Sequence, residues 1–371
     1  MDPKKLLYID TMRGWAILMV VACHQALYFG NLPAPIRLLA SYGQTGVFLF
    51  FVASAFTLCN STIGREGDGN ATRNFFIRRY FRIAPLYYMG IAFYLGLRAL
   101  LPEDAGLLGS EQPAQNVLAN VTLVHGFMPS AFTGVVPGGW SIGTEWAFYL
   151  IFPLLFSGCL KMQTLFGWKI LLVPTGIVAA ASALILAKVG ISNNNFWFWY
   201  DFILNQIPVF MTGIILFFLV QANAFQPDLR RDIPMFFLIS AVGIWALKMN
   251  LFIALPLVSA IAFVFLFNIL RFSIRTDGLI ERIGRASYSM YIFHFAAVLF
   301  AARAVAIIFP VQDTWESAAY GVALVISTIA TYFVSRVSEK HIEQLFIAYG
   351  RILTKSGSPA PVRDVQGRNS I

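Results

Sequence analysis

Asp10, Arg13 and His24 stand inside the first long apolar run of the chain, Asp10-Thr-Met-Arg-Gly-Trp-Ala-Ile-Leu-Met-Val-Val-Ala-Cys-His24. Eleven residues separate Arg13 from His24, close to three turns of α-helix, so both leave one helix face about 16 Å apart along the axis. Asp10 stands one turn before Arg13 on that face. Ionisable groups at such depth handle a substrate, an ion or a proton, unless a packing partner accounts for them. The plainer account keeps Asp10 and Arg13 at the membrane boundary and makes His24 a hydrogen-bonded packing residue.

Three more clusters carry groups of the same kind. Arg78, Arg79 and Arg82 fall three and four residues apart in Arg73-Asn-Phe-Phe-Ile-Arg-Arg-Tyr-Phe-Arg82, so a helix would gather guanidinium groups on one side, with Phe75, Phe76 and Phe81 as anchors. Forked, permanently charged guanidinium suits a phosphate clamp, while Arg73 and Arg78 read as an ordinary anchor to lipid phosphates. In Gly138-Gly-Trp140-Ser141-Ile-Gly-Thr-Glu145, Ser141 and Glu145 are one turn apart. Glu145 in an apolar segment needs a partner, expected to be an Arg or His of another helix, and locking that packing is its alternative role. Finally Ser287, Tyr291 and His294 form an i, i+4, i+7 polar stripe, which packing alone would also explain. His125 and His341 are expected to be solvated.

These residues need elements to hold them, and the composition says which. The 371 residues are 58% hydrophobic and only 12% charged, with a mean hydropathy of +0.69. Such a chain is an all-α polytopic membrane protein. Its net charge of +9 therefore matters through its placement along the chain and carries no implication of nucleic acid. Cys23, Cys59 and Cys159 sit in or beside apolar runs and imply no disulfide framework. Runs long enough to span a bilayer fall near 10–30, 43–60, 84–101, 140–160, 169–189, 202–221, 233–248, 250–270, 287–309 and 318–337, about ten helices. The seventh and eighth could be one bent segment.

With the N-terminus inside, only Arg37, Arg98, Lys188, Lys248 and Arg303 of the 27 basic residues fall on the outer side. That asymmetry places both termini in the cytoplasm. The connection from Pro102 to Gly139 has no Lys or Arg but carries Glu103, Asp104 and Glu111, and is expected to fold over the outer face. Residues 1–340 are expected to form the membrane domain and 341–371 a cytoplasmic, largely disordered tail rich in Pro, Gly and Ser.

As an ordered set, the motifs resemble the acyltransferase 3 family of integral-membrane O-acyltransferases, the type of bacterial O-antigen, exopolysaccharide and Nod-factor acetylases. Asp10, Arg13, Gly14 and His24 match its first-helix pattern, and Arg79 and Arg82 match its R-x-x-R pair. Trp140, Ser141, Glu145, Phe148 and Tyr149 match its W-S-L-x-x-E-x-x-F-Y signature. Ser287, Tyr288, Tyr291 and His294 match S-Y-x-x-Y-x-x-H, and Ser335 and Glu339 match a terminal S-x-x-x-E element. The segment Ser54-Ala55-Phe56 departs from the usual Ser-Gly before the aromatic, a change expected to affect packing alone.

The resemblance implies acyl transfer, most simply of acetyl, from acyl-coenzyme A to a hydroxyl of a surface polysaccharide or lipid-linked sugar, in a bacterial cytoplasmic (inner) membrane. No permanently bound cofactor is implied. Arg79 and Arg82, with Arg13 nearby, would hold the donor's phosphates, and His24 would be the general base or carry the acyl group as an acyl-histidine. Glu145 would orient or balance the site, with Asp10, Trp140, Ser141, Tyr291 and His294 in support. The rival readings are a transporter, whose buried Arg, His and Glu line a substrate or proton path, and a structural membrane subunit.

Overall fold

A computed structural model describes residues 6–65, 69–102, 113–133, 135–192, 195–274, 277–309 and 315–355. Glu103, Asp104, Glu111 and residues 356–371 lie outside them. The described residues contain helices and no strand. In order these are α1 (Leu7–Ala26), α2 (Ala34–Tyr42), α3 (Gly46–Ile63), α4 (Ala71–Leu100), α5 (Ala114–Val121), α6 (Trp140–Phe166), α7 (Leu172–Ser192) and α8 (Phe196–Asp201). There follow α9 (Ile203–Gln221), α10 (Leu229–Lys248), α11 (Leu255–Ser273), α12 (Leu279–Arg285), α13 (Ser287–Ile308), α14 (Glu316–Ser338) and α15 (Gln344–Lys355).

Each of the ten expected runs has its helix. Among the described residues, eight helical segments are long and apolar enough to cross a membrane. The two remaining runs, now α1 and α10, are not among the eight. Asp10, Arg13 and His24 lower the hydropathy of the first, and Arg230, Arg231 and Asp232 that of the second. The question of one bent segment or two is answered by Asn250, whose φ of 57° breaks the chain between α10 and α11, and the two helices pack together as a hairpin.

The polar first helix is also the central one. It packs against α2, α3, α11, α12, α13 and α14, and Met12, Ala16, Ile17, Val20 and Val21 are fully buried. Its contact with α12 is backbone to backbone: a side chain on Gly14 would overlap the Ile280 carbonyl, and one on Gly284 would overlap that of Asp10. No residue larger than glycine fits at this crossing. The same contact holds the Glu281 carboxylate, which accepts from the Thr11 hydroxyl at 2.6 Å and the Gly278 amide at 2.7 Å. Burial raises its pKa, but these bonds outweigh burial and leave the group below the usual range.

Two expectations about the periphery are corrected. The tail does not begin at 341: a π-helical turn over Glu339–Glu343 leads into α15, which packs along α4 with Gly350 against Phe81 and the Tyr349 ring edge-on to Phe81 at 5.3 Å. An apolar face suited to a neighbouring helix keeps this segment folded. His341 is exposed, as expected, but His125 is fully buried. Its Nε2–H donates to the Gly139 carbonyl at 3.1 Å, and its ring stacks on Tyr87, whose hydroxyl donates to Asn120 Oδ1 at 2.5 Å. His125 thus ties the described part of the 102–139 connection to the start of α6. Burial pulls its imidazole pKa down to about 4.

Candidate active site

Arg13, Arg79, Arg82, Ser141, Glu145 and Tyr291 line one cavity of about 70 Å³, to which α1, α3, α4, α6 and α13 all contribute. The start of α6 brings in two of them. Gly138 has φ +74°, which glycine adopts without strain, and its carbonyl accepts from the Tyr291 hydroxyl at 3.0 Å. Ser141, three residues on, donates to the Tyr291 oxygen at 2.8 Å. Trp140 points elsewhere, packing edge-on to Phe51 at 6.3 Å, and does not line the cavity.

Among the described residues Glu145 finds hydroxyls as hydrogen-bond partners, in place of the expected Arg or His. Its Oε1 accepts from Ser54 at 2.6 Å and from Tyr149 at 2.5 Å. Glu145 is half-buried and lines the same cavity as the guanidinium groups of Arg13, Arg79 and Arg82. Ser54 is therefore a residue of the cavity that the sequence did not single out, and the departure beside it is a matter of packing, as expected. Ala55, the actual departure, is fully buried and packs beside Gly213 of α9.

The arginines gather at the other end. Arg13 donates to the Thr57 hydroxyl at 3.3 Å, and Arg79 lies 5.8 Å from the ring centres of both Phe75 and Tyr149. Arg79 Nε is buried with no hydrogen-bond partner among the described residues, an arrangement that costs free energy until a ligand or water fills it. Arg82 lies 3.7 Å from Glu343, a carboxylate that the sequence reading missed one turn beyond Glu339. Glu339 itself bonds Arg336 at 2.6 Å, and Ser335 is fully buried. Asp10 also turns to an unexpected partner, Arg285 of α12, at 4.0 Å. Beyond Arg13, Arg79 and Arg82 a second cavity of about 220 Å³ opens, with Arg65, Arg78 and Arg351 added to the same three arginines. Arg78 is thus part of a cavity wall and not only a lipid anchor; Arg73 is exposed and lines neither cavity.

His24 does not line either cavity. It pairs with His294: His24 Nδ1 and His294 Nε2 are 3.1 Å apart, and the His24 ring packs 4.3 Å from that of Phe295. His294 is fully buried, and its Nδ1 stands 2.7 Å from the Tyr291 carbonyl. A carbonyl only accepts, so His294 carries its proton on Nδ1 and offers a lone pair at Nε2. His24 must then donate from Nδ1, which leaves His24 Nε2 as the unprotonated nitrogen of the pair. Through Tyr291, this pair touches the cavity wall from behind.

The sequence model of the acyltransferase domain family matches residues 6–336. The chain belongs to the acyltransferase 3 family. The acyltransferase is 24% identical over 360 residues to acyltransferase MdmB of Streptomyces mycarofaciens, with 87% of each chain covered. It is 28% identical over 198 residues to protein 2 in the picA locus of Rhizobium radiobacter, covering 50% of this chain and 94% of that one. No solved structure matches it. This chain is therefore a multi-pass membrane enzyme that transfers acyl groups, and the transporter and structural-subunit readings fall away.

Proposed function

We propose that the acyltransferase moves a short acyl group, most simply acetyl, from acyl-coenzyme A to a hydroxyl of a surface polysaccharide or lipid-linked sugar, in a bacterial cytoplasmic membrane. The observation that carries this reading is the proton inventory of the histidine pair, which leaves a lone pair on His24 Nε2. With the coenzyme diphosphate at Arg13, Arg79 and Arg82, its arm of about twelve covalent bonds reaches roughly 15 Å. That length corresponds to the rise of about 16 Å from Arg13 to His24 along α1.

In this reading the acceptor oxygen attacks the thioester carbonyl as His24 Nε2 takes the hydroxyl proton. The new C–O bond forms, the C–S bond breaks, and the proton passes from Nε2 to the departing coenzyme sulfur. His294 holds the Nδ1–H of His24 and so steadies the imidazolium formed on the way. Attack by Nε2 itself, giving an acyl-histidine, uses the same lone pair and is the second reading.

Acyl content of surface glycans, measured by NMR in cells with and without the protein, tests the reaction. We expect O-acyl signals that vanish without the protein and stay absent with His24→Gln, which keeps hydrogen-bonding capacity but accepts no proton at neutral pH. Wild-type acyl content with His24→Gln would end the general-base assignment and turn attention to Glu145 in the cavity. The proposed sidedness is tested separately by cysteines at exposed Gly69 and Gln115, expected to label from inside and outside respectively. Equal labelling of both by an impermeant maleimide would overturn it.

A further inference from the structure

Six of the nine residues lining the larger cavity are arginines, and no acidic residue lines it among the described residues. Arg13, Arg79 and Arg82 also line the inner cavity, whereas Arg65, Arg78 and Arg351 line only the outer one. Positively charged anchors of a cytoplasmic loop turn outward to lipid phosphates. Arg65 and Arg351 are exposed and Arg78 is half-buried, yet all three border one space, from just past α3, from α4 and from α15. A space bordered by this many guanidinium groups attracts an anion.

α15 is held where Arg351 can contribute. Gly350 is so close to α4 that a side chain there would come within 2.9 Å of Phe81 Cβ, and Glu343 reaches Arg82. The family match ends at residue 336, so Arg351 comes from a segment of this chain beyond it. Arg65, at the other wall, gives one N–H to the Ser61 carbonyl at 3.2 Å and has others left for a ligand.

The following step rests on acyl-coenzyme A as donor. Coenzyme A carries a diphosphate, which the three shared arginines are placed to meet as the arm runs inward. It also carries a ribose 3′-phosphate, a monoester whose charge approaches −2 at pH 7. We propose that Arg65, Arg78 and Arg351 bind this 3′-phosphate, so that the C-terminal helix forms part of the donor site and sets its preference for the fully phosphorylated coenzyme. Guanidinium forks suit a phosphate monoester, with two parallel N–H bonds from each.

Titration calorimetry with coenzyme A and with 3′-dephospho-coenzyme A tests this, using the full chain in phosphatidylcholine nanodiscs. The wild type is expected to bind coenzyme A roughly ten- to hundred-fold more tightly than the dephospho form, as loss of charge-assisted hydrogen bonds requires. Arg351→Ala and Arg65→Ala, on separate segments, are each expected to shrink that ratio to about threefold or less by weakening coenzyme A. Equal affinity of the wild type for the two ligands would overturn the inference while leaving the donor reading intact. So would variants that both weaken the two ligands alike, or a ratio that both variants preserve. A wild type whose affinity responds to added phosphatidylglycerol but not to the 3′-phosphate would identify a lipid headgroup as the ligand and overturn it too. Binding of neither coenzyme by the wild type would defeat the donor reading itself.

Discussion

The arginine cavity and the histidine pair each take one residue from the first helix, Arg13 and His24, and are built on opposite principles. Around Arg13, Arg79 and Arg82 the charge is permanent, the space is open, and at least one buried donor, Arg79 Nε, waits for a partner. Around His24 and His294 the groups are neutral, and one chain of hydrogen bonds fixes every proton except at a single lone pair. Holding a polyanion requires charge that does not titrate, whereas moving a proton requires a group that changes state readily. Under the proposed reading, a separation of three helical turns would keep the donor's phosphates from holding the base in its protonated form.

Breaking the histidine end should give the largest effect. His24→Ala is expected to lower kcat by about a hundred-fold or more while the coenzyme A Kd changes by less than about twofold. A comparable rise in Kd, read by calorimetry, would mean that the two regions are not separate. Breaking the arginine end should give the converse. Arg82→Ala is expected to weaken coenzyme A binding roughly ten- to hundred-fold with a much smaller change in kcat. Unchanged binding would reduce the cluster to an anchor.

His294 sharpens the comparison from within. His294→Ala removes the acceptor of the His24 Nδ1–H and should cost about tenfold in kcat, whereas His294→Gln keeps an acceptor and should recover most of it. If Ala and Gln behave alike in the same assay, His294 only packs. The smallest effect belongs to His125, which lines neither cavity. Its folded pKa of about 4 lies below the unfolded value near 6.5. Between these values the unfolded chain takes up a proton and the folded chain does not, so stability contributed at neutral pH is lost as pH falls from about 6.5 towards 4. Thermal unfolding of His125→Gln should show a flatter pH dependence in that window; an identical slope would show that His125 does not contribute to it.

How much of this was legible in the sequence depended on distance along the chain. The shared face of Arg13 and His24, the arginine cluster and the one-turn spacing of Ser141 and Glu145 are local and follow from helix period alone. The positions of the ten long helices are local too, read from the lengths of the apolar runs. The partners were not local. Ser54 lies 91 residues from Glu145, and His24 lies 270 from His294, and no spacing rule links them. Tyr149, four residues after Glu145, was within reach of the helix rule, although its motif offered hydroxyl and aromatic packing roles alike. His125 looked like a loop histidine because its burial comes from Tyr87 and Gly139, which only the fold brings to it. Glu343 was hidden by the π-helical turn, which adds a residue to the register and shifts which carboxylate faces Arg82.

The Arg82–Glu343 contact ties the arginine cavity to the order of synthesis. Arg13 leaves the ribosome roughly 330 residues before Glu343, an interval of roughly 15 to 65 s at ordinary rates of elongation. During that interval the first helices can enter the membrane and the histidine pair can form once α13 arrives, while the cavity still lacks the wall that α15 provides. A nascent or prematurely terminated chain ending after α14 would thus hold its histidine pair but lack one wall of the arginine cavity.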